Sequence, residues 1–327
     1  PQEFIDRYRG VYDEGWDVLR EQRLARASKL GIVPEGVAAV RMSTTADWEA
    51  LDAARQRYEA KRMAVYAGMV EAMDFHLGRL LDYLKQRGQY DNTIIIFTSD
   101  NGAEASGSVD PHAFADRRLT DSLGYRIDYE TLGLRGSYNS ISPSFASAAA
   151  SPLAYYKFYA GEGGMRVPLI IAGAGLSAQG ELIRAFSFVT DITPTMLSLA
   201  GVAPPGARYR GRPVESMIGR DLHPLLSGEV DRIYGPDDAV GYELAGHAAL
   251  FQGEHKIVRN RGPVGDGQWR LFNIAEDPGE TNDLANEEPA RLQRMLSAYE
   301  SYTQENMVLP VPAGYNHVKQ LVINTLY

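Results

Sequence analysis

The run Thr93-Ile94-Ile95-Ile96-Phe97-Thr98 constrains this chain more than any other stretch. Every residue in it is β-branched or aromatic, and no polar position interrupts it. That is the pattern of a short strand covered on both faces in a parallel sheet. A pattern of the opposite kind precedes it. Met63, Tyr66, Met69, Met73, Leu77, Leu80, Leu81 and Leu84 recur at helical spacing and stop at Gly88. They predict a long amphipathic helix, with Met63, Met69 and Met73 as core filler. A long helix giving way at once to a buried strand belongs to an α/β chain.

Other segments extend this plan. Leu19, Leu24, Ala27 and Leu30 predict a helix over 20–30, stopped by Gly31 and Pro34. Arg166 to Ala172 predicts a second buried strand and Phe186 to Thr190 a third, followed by a helix from Asp191 through Leu199. Ala103 to Pro152 is rich in Ser, Gly, Asp, Tyr and Ala and is read as one long loop, the place where substrate specificity is expected. Past about residue 205, Val240–Leu244, Ala248–Phe251, Lys256–Arg259 and Gln268–Phe272 are spaced like an antiparallel meander, closed by a helix over 288–305. The expected fold is α/β: a mostly parallel central sheet flanked by helices over 1–205. A smaller α+β subdomain with an antiparallel sheet follows over 206–327.

Composition limits the partners. The 33 basic and 42 acidic residues leave a formal charge of −9. A broad nucleic-acid face is excluded, because a polyanion needs a concentrated basic patch. Arg55, Arg57, Lys61 and Arg62 lie among Glu49, Asp52 and Glu59 and predict a solvated helix face. There is no cysteine, hence no disulfide, thiolate site or cysteine nucleophile. No stretch approaches the roughly eighteen apolar residues of a membrane span. Pro1-Gln2-Glu3-Phe4 lacks a starting Met and the basic and apolar regions of a signal peptide. A soluble protein is expected, in a compartment that composition leaves open.

Asp100-Asn101 follows the first strand directly, at the carboxyl end where ligands bind in open α/β sheets. A carboxylate beside an amide carbonyl offers hard oxygen donors suited to Ca²⁺ or Mg²⁺. The same Asp-Asn-Gly sequence also makes an ordinary turn. Lys157, among Tyr156 and Phe158, can hold an anion as a point charge or lie along the surface. Gly173-Ala174-Gly175-Leu176-Ser177-Ala178 fits a dinucleotide fingerprint with Asp191 downstream, but too few residues follow it for a crossover helix. The histidines form no metal-binding pair; His76 is expected to be structural and His112 stays open as an active-site candidate. No G-x-S-x-G elbow anchors a serine triad.

Five segments, in order, resemble the type I sulfatases of the alkaline phosphatase superfamily, most closely the bacterial arylsulfatases. They are Tyr66 to Asp74 with Gly78-Arg79, Asn92 to Gly102, Glu162 to Pro168, Val189 to Thr195 with Leu199 to Gly201, and Leu271 to Glu280 with Asp283-Leu284. The resemblance implies that Asp100 and Asn101 ligate an active-site divalent cation, Ca²⁺ above all. It implies that Lys157 contacts the sulfate group and stabilises charge as the ester breaks, while Arg166 is structural. The implied substrate is a small-molecule sulfate ester.

One departure stands out. The family's nucleophile is a formylglycine made from Cys or Ser in C/S-x-P-x-R, and that motif is absent; Ser142-Pro143-Ser144 has the wrong spacing. The resemblance therefore implies the carboxyl-terminal portion of a sulfatase, incomplete at the N-terminus. Its partner is the missing N-terminal part, in cis or as a separate chain. The alternatives are an inactive fragment or accessory binding module, and a phosphate or phosphonate monoester hydrolase of the same superfamily.

Overall fold

The computed structural model describes residues 1–106, 123–173, 176 and 180–316. In chain order the helices and strands are α1 (Gln2–Asp6), α2 (Gly15–Lys29), α3 (Ala53–Gln86), β1 (Ile94–Thr98), α4 (Ser142–Ala150), α5 (Glu162–Met165), β2 (Leu169–Gly173) and α6 (Ile192–Leu199). There follow β3 (Arg208–Tyr209), β4 (Arg212–Pro213), α7 (His223–Leu226), β5 (Ala239–Leu244), β6 (His247–Gln252), β7 (His255–Arg259), β8 (Arg270–Asn273) and α8 (Pro289–Glu305). They fall into two compact units. One comprises 1–83, 98–169 and 239–327, the other 84–97 and 170–238.

Two larger cores lie in the first unit, beside a small cluster of Ile5, Val65 and Leu132. In one, α2 and α4 pack through Trp16, Phe145, Ala146 and Ala148, joined by Trp48, Met63, Tyr156 and Tyr159. Trp16 and Phe145 meet edge to face at 5.4 Å, a favoured aromatic geometry. Helix α2 stops as its sequence requires: Gly31, at φ +67°, lets the Ile32 N–H reach back to Ala27 O at 2.9 Å.

Helix α4 lies inside the segment expected to be one long loop, and the correction has a physical source. Its Ser residues are buried hydrogen-bond partners rather than loop formers. Ser144 and Ser147 accept from the Ala46 and Met42 N–H groups, and Ser142 donates to Glu59. The alanines between them bring α4 tight against its neighbours.

The expected solvated face of α3 is also corrected. Glu59 and Arg62 are both buried and ion-paired at 2.7 Å. Burial pushes the Glu59 carboxyl above its ordinary value, with Arg62 and Ser142 pulling it back. Met63 is core, whereas Met69 and Met73 are exposed, so only the first of the three methionines fills a core.

The second core is the antiparallel meander β5-β6-β7-β8, in the order expected. Ala245 and Gly246, both at positive φ, make the two-residue turn after Leu244, which pairs with His247. On one face Leu250, Ile257 and Leu271 pack against Met295 and Tyr299 of α8. The alternate residues Phe251, Lys256 and Phe272 form a cross-strand row on the other face.

In the second unit β1 and β2 form a two-stranded sheet. Ile94 and Ile171 pack on Leu176, Leu222 and Leu226. Neither strand is buried on both faces as expected: β1 is half-buried, and Ile170 is 57% exposed. The third expected strand, 186–190, is irregular chain ending in a short 3₁₀ turn, because the Asp191 carboxylate takes the Phe188 N–H at 2.7 Å. Asp191 is wholly buried and also accepts from the Arg220 N–H and the Tyr234 hydroxyl. Those donors leave it no role toward a dinucleotide ribose. Among the described residues, no helix is long and apolar enough to cross a membrane.

Candidate active site

The chain leaves β1 through Ser99 and turns at Asp100-Asn101, where the Ser99 hydroxyl donates to Asn101 O at 2.8 Å. Asp100 is exposed and Asn101 half-buried. Among the described residues, neither side chain is engaged in a hydrogen bond or ion pair, so their oxygens are open to a ligand. The next residue explains how the turn is held. Gly102 N–H donates to Gly164 O at 2.9 Å, and a Cβ at Gly102 would lie 1.8 Å from Gly163 O. Only glycine lets the two main chains come this close.

The opposing segment, 155–164, carries Lys157. Its N–H donates to Ala103 O at 2.9 Å, so the lysine is tied to the Asp100 segment by its own backbone. Tyr155 and Phe158, on either side, adopt φ +66° and +79°. Non-glycine residues reach that region only where surrounding contacts over-determine it, at a cost of about 1–3 kcal/mol each. Here the determinants are buried. The Tyr156 hydroxyl pairs with Thr44 at 3.0 Å, and Tyr156 packs edge to face on Tyr159 at 5.6 Å.

The structure thus brings Lys157 and the Asp100-Asn101 turn onto neighbouring segments, without a direct bond between their side chains. Lys157 Nζ instead pairs with Glu104 at 2.8 Å and lies 5.5 Å from the Phe158 ring centroid. Glu104 is a residue the sequence reasoning missed. Nothing in the sequence links it to a lysine so far along the chain; only the Ala103 contact makes them neighbours. Burial pushes the Glu104 carboxyl up, but hydrogen bonds from Lys157 and Ser106 outweigh this and hold it below its ordinary value.

Behind this segment lies a buried charge network. Lys256 is wholly buried, with Nζ 2.9 Å from Glu162 Oε1 and 2.8 Å from Glu280 Oε1. The Glu280 approach is an ion pair outside good hydrogen-bond alignment. Arg166 pairs with the second Glu162 oxygen at 2.6 Å and donates to Ile274 O. The Glu162 N–H donates to Glu280 Oε2 at 3.0 Å. Burial pushes Glu162 up, yet Lys256 and Arg166 overcome it and the carboxyl stands below its ordinary value. Glu280 stands above, raised by burial and by Glu162 against the pull of Lys256.

The remaining candidates do not join the site. His112 lies outside the described residues, as does most of the glycine-rich 173–178 segment. His76 is exposed on α3, with Nδ1 3.0 Å from Arg79. For a divalent cation, Asp100 and Asn101 supply the right donor type. Ca²⁺ takes roughly six to eight oxygens, and among the described residues no group of three His, Cys, Asp or Glu gathers. The two residues fit as part of a hard-cation site and do not complete one.

A protein-family model described as Sulfatase matches residues 1–202. An uncharacterized sulfatase of Schizosaccharomyces pombe is 35% identical over 326 residues, covering 96% of this chain and 57% of that protein. An arylsulfatase of Klebsiella aerogenes is 33% identical over 225 residues, covering 68% of this chain and 47% of that protein. Among solved structures, Ps i-CgsB in complex with k-i-k-neocarrahexaose has 22% identity and a TM-score of 0.53, a likeness of fold over 94% of this chain and 58% of that one. The chain spans about half the length of these curated relatives.

Proposed function

This chain belongs to the sulfatase family, with the α/β fold of the alkaline phosphatase superfamily, and on that premise we propose that it supplies the cation-and-lysine side of an arylsulfatase-like active site. One observation carries the reading. The loop bearing Asp100 and Asn101 and the segment bearing Lys157 are bonded main chain to main chain, at Gly102–Gly164 and Lys157–Ala103. A hard-oxygen pair and a fixed ammonium side by side suit an ester that is both anionic and in need of charge stabilisation.

Asp100 and Asn101 would hold Ca²⁺, together with donors from outside this pair. Once bound, the ion would polarise an ester oxygen as a Lewis acid. Lys157 has the simpler task of binding a sulfate oxygen and stabilising negative charge that builds as the S–O bond to the leaving group breaks. Its backbone tie to Ala103 fixes the lysine before substrate arrives, which limits reorganisation in the reaction. The nucleophile comes from a segment carrying C/S-x-P-x-R, in cis or on another chain, because these 327 residues contain no such motif. The substrate is a small sulfate ester.

The test is steady-state kinetics on a polypeptide that joins this segment to one bearing the nucleophile. p-Nitrophenyl sulfate is expected to be turned over with higher kcat/KM than p-nitrophenyl phosphate. A preference for the phosphate ester would overturn the sulfatase assignment in favour of phosphomonoester hydrolysis.

A further inference from the structure

The Glu104–Lys157 pair has a chemical consequence that rests on the sulfatase reading of Lys157 and deepens it. Glu104 is held on both sides. Its Oε1 accepts from the Ser106 N–H at 2.8 Å and the Ser106 hydroxyl at 2.6 Å, while its Oε2 faces Lys157 Nζ. The carboxylate is therefore an anchored group rather than a loose surface charge. Both side chains remain about one-third exposed, at 34% for Lys157 and 38% for Glu104, so an arriving anion can reach the ammonium. An ammonium has three donors, and Glu104 occupies one of them. An anion taking one of the remaining donors would sit close to a fixed carboxylate.

From this geometry we propose that Glu104 is a specificity-determining residue: a fixed counter-charge that offsets the preference of the Lys157 ammonium for dianionic over monoanionic esters. The local sum of the lysine and glutamate charges is zero, so the pair offers hydrogen bonds without net positive charge. A sulfate monoester carries one negative charge. A phosphate monoester above its second ionisation, near pH 6, carries nearly two. Each added unit of negative charge meets repulsion from the anchored carboxylate. At a separation of about 5 Å with water screening the site to near its bulk dielectric, one such unit costs roughly fivefold in affinity. Both esters keep their bond to Lys157 when the carboxylate charge is removed, so the change in their affinity ratio reads Glu104.

The experiment is a calorimetric titration with phenyl sulfate and with phenyl phosphate, at pH 8 and one fixed Ca²⁺ concentration, of a polypeptide that joins this segment to its nucleophile-bearing part, with the nucleophile replaced by Ala so that neither ester turns over. Glu104→Gln keeps the side-chain shape and removes the charge. It is expected to tighten phenyl phosphate roughly fivefold more than phenyl sulfate, while Glu104→Asp keeps the wild-type ratio. Lys157→Ala is expected to weaken both esters alike. An unchanged affinity ratio in Glu104→Gln, with Lys157→Ala still weakening both, overturns the charge filter and leaves the lysine assignment intact. Unchanged affinities for both esters in Lys157→Ala overturn the lysine assignment and the filter with it.

Discussion

Lys256→Met is the most searching test of how the Lys157 segment is held. The methionine has nearly the same length and keeps the cross-strand row with Phe251 and Phe272. What it removes is one positive charge from between two buried carboxylates. Lys256 Nζ lies 2.9 Å from Glu162 and 2.8 Å from Glu280. At an effective dielectric near 20, each contact is worth about 6 kcal/mol of attraction. The cost of burying three ions offsets much of that, and losing one partner of a buried pair typically costs about 3–5 kcal/mol. Arg166 remains beside Glu162, but its side chain is 41% exposed and it does not pair with Glu280.

The loss must also depend on pH. Without Lys256, burial and mutual repulsion push the Glu280 carboxyl higher than its already raised position. A carboxyl raised on folding binds its proton more tightly when folded, so stability falls as pH rises from the unfolded value, near 4.3, through the folded one. The deficit of Lys256→Met relative to the native chain is therefore expected to be about 3–5 kcal/mol at pH 7 and clearly smaller at pH 5. Urea unfolding followed by tryptophan fluorescence reads this, since Trp269 packs on Tyr299 in the core of the same sheet. The triple variant with Glu162→Gln and Glu280→Gln should recover most of the loss. A deficit below about 1 kcal/mol at pH 7, or one that grows on acidification, would refute the argument.

Two further outcomes follow from other parts of the fold. Glu59→Ala leaves Arg62 buried without its carboxylate and is expected to cost about 3 kcal/mol in urea unfolding, against less for Glu59→Gln, which keeps a hydrogen-bond acceptor. Gly102→Ala puts a methyl 1.8 Å from Gly163 O, so the Asp100 turn must part from the 155–164 segment. A cost of about 1–3 kcal/mol is expected, with weakened binding of phenyl sulfate by titration.

Legibility differed between elements for physical reasons. The β5–β8 meander and α8 were readable because local signals agreed: short apolar runs at meander spacing, followed by a helical pattern. The long helix was readable in kind and at its end, but not in its start at Ala53 or in which residues it buries. Glu59 and Arg62 look like solvent-facing charge until Ser140 and Ser142 are seen to close around them. Helix α4 was hidden because its serines, in a stretch rich in Gly and Asp, signal loop by composition, outweighing the helix preference of its alanines, while those serines serve as tertiary hydrogen-bond partners. The buried-strand expectation for β1 and β2 counted apolar residues without knowing what covers them.

At the site, Asp100, Asn101 and Lys157 were named from the sequence, two from their place after a strand and all three from family resemblance. Their proximity was not readable, because it depends on backbone bonds between segments more than fifty residues apart. Glu104 was invisible for the same reason, and so was the partnership of Glu162 and Glu280 with Lys256.

The most direct measurement of the central claim is p-nitrophenyl sulfate hydrolysis by a polypeptide joining this segment to its nucleophile-bearing part, comparing the native sequence with Asp100→Ala and Lys157→Ala. The account predicts a loss of about 10²–10³ in kcat for Lys157→Ala, the scale of one removed charge-stabilising donor. It predicts for Asp100→Ala a comparable loss that added Ca²⁺ partly restores. Undiminished turnover in both variants would contradict it.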